Sequence, residues 1–266
     1  MNENSPIGVF DSGLGGLTVV KAMMRQLPHE DVVYFGDTAR VPYGTKSREA
    51  IIRFSRENVA VLLKHNVKMI VVACNSSSSH ALAALRETFD LPIIGVIEPG
   101  CRRAVGVTRQ KRIGVIATPA TINSYAYPQE IARLDSTIRV TGQACPLFVP
   151  LVEEGWYTKP ATMAIAKEYL KTIIKSKSDA LILGCTHYPL LKNVLRKVLG
   201  PKVKLVDSAE QVALDVRALL EKNSAGRQGP RKARYQFFVS DEPAHFQKLA
   251  RRFLGFDISE VQRCHV

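Results

Sequence analysis

The stretch SPIGVFDSGLGGLT, residues 5–18, has a counterpart in KRIGVIATPATINS, residues 111–124. Each places an Ile-Gly-Val run before a small or acidic residue and a hydroxyl, and Ile7 and Ile113 are 106 positions apart. Farther along, VVACNSSSS (71–79) resembles LILGCTHYP (181–189). Their cysteines are 111 positions apart, and similar offsets in the same order predict two similar halves.

Short apolar runs alternate with amphipathic stretches along the chain, which is typical of an α/β fold with mainly parallel sheets. The first half contains four predicted strands and closes on a Pro-Gly break at residues 99–100. The predicted C-terminal strand RYQFFVS (234–240) is expected to return to the first half. We therefore expect two pseudo-symmetric α/β domains, of which the first is discontinuous: residues 1–97 plus 208–266, and residues 98–207.

The composition predicts a globular chain with a substantial core, because 46% of its 266 residues are hydrophobic and 23% are charged. Its longest apolar runs are much shorter than a membrane span, and the first residues lack the features of an export signal. The five cysteines form no CxxC pair, and their odd number favours free thiols in a reducing cytoplasm.

The net charge of +13 allows attraction to acidic partners, but no nucleic-acid-binding signature accompanies it. The basic residues are densest at 226–234, and we interpret them as a well-solvated surface.

No cofactor is expected from the motifs. The glycine-rich loop at 11–16 lacks the GxGxxG spacing, since Thr18 stands where the last glycine would be, and a phosphate-binding GxxxxGK[ST] loop is absent. For metals, the sequence contains no HExxH, and Cys185 with His187 makes only an isolated Cys-x-His. Neither a nucleotide nor a metal is therefore indicated.

The two matched cysteines, Cys74 and Cys185, each stand where a strand ends and a helix is expected to begin. A helix N-terminus favours a thiolate and lowers the pKa of a thiol. A lone cysteine of this kind is most often a small buried residue, but two on matching halves fit a pair of opposed bases. Inversion of a carbon needs one base on each side, whereas a hydrolase needs a single cysteine with a histidine partner and an oxyanion hole.

In order along the chain, DSGLGG, GDTARVPYG, ACNSSS, GVIEP, PLVEEG and GCTHYPLL resemble the motifs of the glutamate racemase family. The resemblance covers nearly the whole chain. It implies cofactor-independent interconversion of L- and D-glutamate, which supplies D-glutamate for peptidoglycan, and an active site in the cleft between two pseudo-symmetric α/β domains. It also implies a cytoplasmic enzyme that forms a homodimer.

Residue by residue, the resemblance implies that Cys74 acts on D-glutamate and Cys185 on L-glutamate, while Asp11, Glu153 and His187 assist them. By themselves, these three would be interpreted as a turn residue, a solvated helix acid and a loop histidine. One departure is that Ser76 stands where the family usually has threonine. The implied substrate contacts are Asp11, Ser12, Tyr43, Gly44, Asn75, Ser76, Thr118, Thr121, Thr186 and His187.

Three other interpretations remain open on the sequence. An aspartate racemase would share the two-cysteine chemistry, and a panel of substrates would separate the two activities. A basic protein that binds gyrase or DNA is conceivable but not expected, and its DNA binding would be salt-sensitive and survive loss of both cysteines. A cysteine hydrolase would form an acyl-enzyme on one cysteine alone.

Overall fold

The computed structural model describes residues 2–227, 229 and 232–266. The strands are β1 (Ile7–Asp11), β2 (Val32–Gly36), β3 (Met69–Val72), β4 (Ile93–Gly95), β5 (Arg112–Ala117), β6 (Arg139–Ala144), β7 (Ala180–Gly184), β8 (Lys204–Val206), β9 (Tyr235–Val239) and β10 (Gln262–Arg263). The helices are α1 (Leu17–Gln26), α2 (Arg48–Leu63), α3 (Asn75–His80), α4 (Leu82–Thr88), α5 (Ile97–Val107), α6 (Pro119–Asn123), α7 (Ala126–Leu134), α8 (Phe148–Glu153), α9 (Pro160–Lys175), α10 (Lys192–Leu199), α11 (Ser208–Lys222) and α12 (Pro243–Leu254). Short 3₁₀ helices cover Thr38–Arg40, Tyr43–Thr45 and Tyr188–Leu191.

Side-chain caps fix the start of several helices. The Ser47 hydroxyl accepts a hydrogen bond from an amide in the first turn of α2, and the Asp207 carboxylate does the same for α11. Thr118 caps α6, where Pro119 occupies the first helical position and removes an amide that would otherwise lack a partner. These three helices therefore begin where the sequence supplies an oxygen acceptor for a free amide.

The strands form two parallel sheets, with the order β10-β9-β2-β1-β3-β4 in the first and β6-β5-β7-β8 in the second. Every residue of β1, β2, β3 and β7 is buried. Strands covered by helices on both faces need such continuous apolar runs, which is why the chain alternates runs of this kind with amphipathic helices. The predicted α/β fold with mainly parallel sheets is confirmed.

The internal repeat corresponds to a repeat in strand order. The order β6-β5-β7-β8 in the second sheet reproduces β2-β1-β3-β4 in the first, with β5 in the place of β1. Cys74 follows β3 and Cys185 follows β7, so the two cysteines lie at equivalent ends of the two sheets.

The C-terminal strand returns to the first sheet, where β9 pairs in parallel with β2 from Val32 beside Tyr235 to Gly36 beside Val239. Between the sheets, α11 packs against α1 and α5. The domain bounds at 97/98 and 207/208 stay a prediction.

Two local expectations were wrong. The Pro-Gly pair at 99–100 does not break the chain, because α5 begins at Ile97 and contains both residues in its first turn. Proline is tolerated there, since amides of the first turn have no partner within the helix. An α-helix does not follow Cys185 directly either: a 3₁₀ helix comes first, and α10 begins only at Lys192.

None of the helices in the described part of the chain combines the length and the apolar character that crossing a membrane requires. The basic run at 226–234 lies partly outside the described residues, which exclude Gln228, Pro230 and Arg231.

Candidate active site

A cavity of about 320 Å³ lies between the two halves of the chain, at the carboxyl ends of the strands. All but two of the predicted site residues line it; Asp11 and Thr121 lie behind its wall. A larger depression of about 900 Å³ lies beside Lys68, but its described lining contains no cysteine or histidine. The predicted residues in the wall of the smaller cavity are Ser12, Tyr43, Gly44, Cys74, Asn75, Ser76, Thr118, Glu153, Cys185, Thr186 and His187.

Much of the cavity wall is apolar, a feature that the motifs did not predict. Its remaining wall residues include Val41, Pro42, Pro119, Pro146, Val149 and Pro150. No lysine or arginine of the described residues lines the cavity. An anionic ligand in this cavity would therefore be held mainly by hydroxyl and amide donors.

Cys74 is buried at the start of α3. Burial, followed by the negative charge of Asp11, raises the pKa of its thiol to about 12. The amide and hydroxyl of Ser77 and the hydroxyl of Ser12 oppose this shift without cancelling it. The expectation that the helix start lowers the pKa of this thiol was therefore wrong, because burial outweighs the few donors that a short helix supplies.

Asp11 ends β1 and is buried beneath the cavity. One carboxylate oxygen accepts a hydrogen bond from the Gly13 amide at 3.1 Å, and the other accepts one from the Thr186 hydroxyl at 3.5 Å. Burial raises the pKa of Asp11, while the charge of His187 and nearby backbone amides lower it. Asp11 therefore connects the first half to the loop that carries Cys185.

Cys185 has a different set of neighbours, because His187 lies between it and Glu153. The Sγ atom of Cys185 is 3.9 Å from Nδ1 of His187, and Nε2 of His187 is 2.9 Å from Oε1 of Glu153. Burial lowers the pKa of His187, but its hydrogen bonds to Cys185 and Glu153 and their charges together raise it to about 10. The geometry therefore favours an imidazolium that donates to the sulfur on one side and to the carboxylate on the other.

The hydroxyls of Ser76, Thr118 and Thr121 form a triangle across the cleft. Ser76 lies 3.0 Å from Thr118 and 3.3 Å from Thr121, and the two threonine oxygens are 3.1 Å apart. Ser76 comes from α3, whereas the threonines cap and form α6. The cluster thus joins the two halves beside Cys74.

Tyr43 is held in the wall by the carboxylate of Asp37, which the motifs offered little reason to single out. Its hydroxyl donates to Asp37 and accepts from the Asn58 side chain at 3.1 Å. Asp37 is fully buried and also accepts from Ser240 at 2.9 Å. The Gly-Asp pair at 36–37 looks like turn chemistry in the sequence, and only the fold places it beneath Tyr43.

The glycine-rich loop at 11–16 allows the two halves to approach each other. A Cβ atom on Gly15 would lie 2.0 Å from the Thr186 hydroxyl oxygen and 2.6 Å from Nδ1 of His187. The loop therefore contacts the Cys185 side directly at Gly15, where a side chain would not fit.

Within residues 2–227, 229 and 232–266, no three His, Cys, Asp or Glu side chains are grouped so that they could hold a metal ion.

In sequence, the chain is similar to known racemases. The sequence model of the family described as Asp/Glu/Hydantoin racemase matches residues 7–214. A glutamate racemase from Geobacter metallireducens is 49% identical over 255 residues, which are 96% of this chain and 94% of that protein.

Solved structures show the same relationship. Glutamate racemase isoform RacE1 from Bacillus anthracis has a TM-score of 0.96 and 39% identity, covering 100% of this chain and 99% of that one. The Francisella tularensis glutamate racemase, solved in complex with D-glutamate, has a TM-score of 0.92 and 41% identity over 98% of each chain. An aspartate racemase from Picrophilus torridus, at 19% identity and a TM-score of 0.55, shares the fold alone. The chain belongs to the Asp/Glu/hydantoin racemase family, among its glutamate racemases.

Proposed function

We propose that this chain interconverts L- and D-glutamate, with Cys74 and Cys185 as opposed bases and without a cofactor, and so supplies D-glutamate for peptidoglycan. The observation that carries the proposal is that two cysteines from equivalent strand ends line one cavity. The relatives named as glutamate racemases support glutamate as the substrate.

In the L-to-D direction, the Cys185 thiolate removes the α-proton and the Cα–H electron pair delocalises into the α-carboxylate. The Cys74 thiol then delivers its proton to the opposite face of the carbon. The reaction leaves a thiol on Cys185 and a thiolate on Cys74, which is the starting state for the D-to-L direction. The raised pKa of the Cys74 thiol supports its role as the proton donor in this direction.

His187 is placed to pair with a thiolate on Cys185, and Glu153 holds the imidazolium in position. Asp11 holds the loop between the halves through the Gly13 amide and the Thr186 hydroxyl. We propose that all three assist proton transfer, with His187 acting directly on the sulfur.

Hydroxyl and amide donors hold the two substrate carboxylates. We assign this role to the predicted contacts in the cavity wall, with Thr121 acting through Ser76 and Thr118. These donors stabilise charge on the α-carboxylate as the proton leaves, and the apolar wall strengthens the effect by excluding water.

Circular dichroism of the purified protein with L-glutamate and no added cofactor tests the activity. The signal should decay to zero, and D-glutamate should give a decay of opposite sign. L-aspartate serves as the matched substrate control and should change far more slowly. A constant glutamate signal would contradict the proposal, and decay with aspartate alone would identify an aspartate racemase.

We further propose that the protein acts in the cytoplasm as a homodimer. The free thiols of all five cysteines fit a reducing compartment. The dimer follows from the family resemblance, and sedimentation equilibrium tests it: a single species of twice the 29.4 kDa chain mass is expected, and a monomer would contradict it.

A further inference from the structure

Tyr127, which the motifs did not single out, connects the two cysteine-bearing loops. It lies in α7 and is only 1% exposed. Its hydroxyl donates to Oδ1 of Asn75 at 2.7 Å, and Asn75 is the residue directly after Cys74. A side chain of the second half thus holds the residue beside the cysteine of the first half.

The ring of Tyr127 also packs beside the other cysteine. A Cβ atom on Gly184, the residue directly before Cys185, would lie 3.1 Å from Cε2 of Tyr127. Burial, followed by the charges of Cys101 and Cys185, raises the pKa of Tyr127 well above its usual range. The hydroxyl therefore stays protonated and acts as a donor to Asn75.

The two polar atoms of the Asn75 side-chain amide differ in their hydrogen bonding. Its Oδ1 atom is occupied by Tyr127, while its buried Nδ2 atom has no hydrogen-bond partner among the described residues. Asn75 lines the cavity. A buried amide donor without a partner is costly, so its position beside the cavity points to a ligand acceptor.

We propose that Tyr127 is a positioning residue that fixes the Asn75 amide with its donor directed to a substrate carboxylate. The inference rests on the proposed function, because it requires an anionic substrate in this cavity. An asparagine amide can present either its oxygen or its nitrogen after rotation about the terminal bond. Without the tyrosine hydroxyl, the oxygen is free to face the carboxylate and repel it.

A double-mutant cycle tests this role through kcat/KM for glutamate. Tyr127→Phe keeps the ring and removes only the hydroxyl, and it should lower kcat/KM about tenfold in the presence of Asn75. In the Asn75→Ala background the same change should have less than about a twofold effect, because no amide remains to be oriented.

Tyr188→Phe is the matched control. Tyr188 is fully buried, and its hydroxyl donates at 2.8 Å to the backbone carbonyl of Cys145, which does not line the cavity. We expect this change to lower the melting temperature about as much as Tyr127→Phe does, while kcat/KM stays within about twofold of the wild type.

Binding provides a second readout, since saturating D-glutamate should raise the melting temperature of the wild type and of Tyr188→Phe. The shift should be much smaller for Tyr127→Phe and Asn75→Ala. An unchanged kcat/KM for Tyr127→Phe, or an equal loss with and without Asn75, would overturn the inference. A wild type without glutamate racemisation would overturn the proposed function itself, which is a separate result.

Discussion

Cys74 and Cys185 follow equivalent strands of the two sheets, yet different groups surround their sulfur atoms. Near Cys74 are hydroxyls, a backbone amide and the buried carboxylate of Asp11, and the pKa of the thiol is raised. Near Cys185 are the His187 ring and, beyond it, Glu153. The comparison shows that the repeat brings the two cysteines to equivalent strand ends, while the groups around each sulfur differ. If both act as bases, as we propose, each side handles its proton with different neighbours.

Replacing either cysteine should have the largest effect on activity. Cys74→Ser and Cys185→Ser should each lower kcat about 10³-fold, because a serine hydroxyl is a much weaker acid at neutral pH than a thiol and cannot take over proton transfer. The rate of change in circular dichroism with L- and D-glutamate measures this effect. Cys264→Ser, in the C-terminal tail, is the control and should stay within about twofold. Near-normal turnover in either cavity variant would contradict the two-base scheme.

The next largest loss of activity is expected from a substitution that displaces Thr186 and His187, beside Cys185. Gly15→Ala places a methyl group against Thr186 and His187, and a shift of about 1 Å at His187 costs about 10²-fold in kcat/KM. Gly106→Ala is the matched control, since no atom of the described residues comes within 4 Å of a Cβ atom at that position of α5. Equal kinetics for the two variants would show that the loop at 11–16 does not constrain His187.

The His187–Glu153 pair predicts a pH dependence that belongs to one side of the cavity. The pKa of the His187 ring, about 10, lies above the ordinary histidine value of 6.5. Stability from the imidazolium is therefore fully present below pH 6.5 and is lost as the pH rises through 10. Racemisation should fall over the same alkaline range.

Glu153→Gln should lower kcat/KM about tenfold and move the alkaline fall to lower pH, because the negative charge that favours the imidazolium is gone. The pH profile of kcat/KM measures both effects. Glu154→Gln, at the neighbouring residue, is the control. If the alkaline fall in activity stayed at the same pH in Glu153→Gln, Glu153 would not control the titration of His187.

The smallest effect is expected on the Cys74 side. Ser76→Thr restores the residue usual in the family and keeps the hydroxyl that meets Thr118 and Thr121. We expect KM for glutamate to change by no more than about threefold. A change of tenfold or more would mean that the missing methyl group shapes the cavity.

The repeat made the fold and the placement of both cysteines predictable, because local hydrophobic patterns determine strands and their order. The role of Tyr127 was not predictable, because the residue it contacts, Asn75, is 52 positions away and no local sequence pattern indicates the contact. The direction of the shift in the pKa of Cys74 also depends on tertiary burial, which the sequence around a helix start does not reveal. For the same reason, the glycine at position 15 is explained only by the close approach of Thr186 and His187.

The central claim is that the two cysteines act on opposite faces of one carbon. Incubating the enzyme with L-glutamate in D2O and stopping the reaction at low conversion tests it most directly. The account predicts deuterium at the α-carbon of the D-glutamate product and almost none in the recovered L-glutamate, because the proton returns from a different base. Equal deuterium in both enantiomers at early times would mean that a single base serves both faces, and would contradict the account.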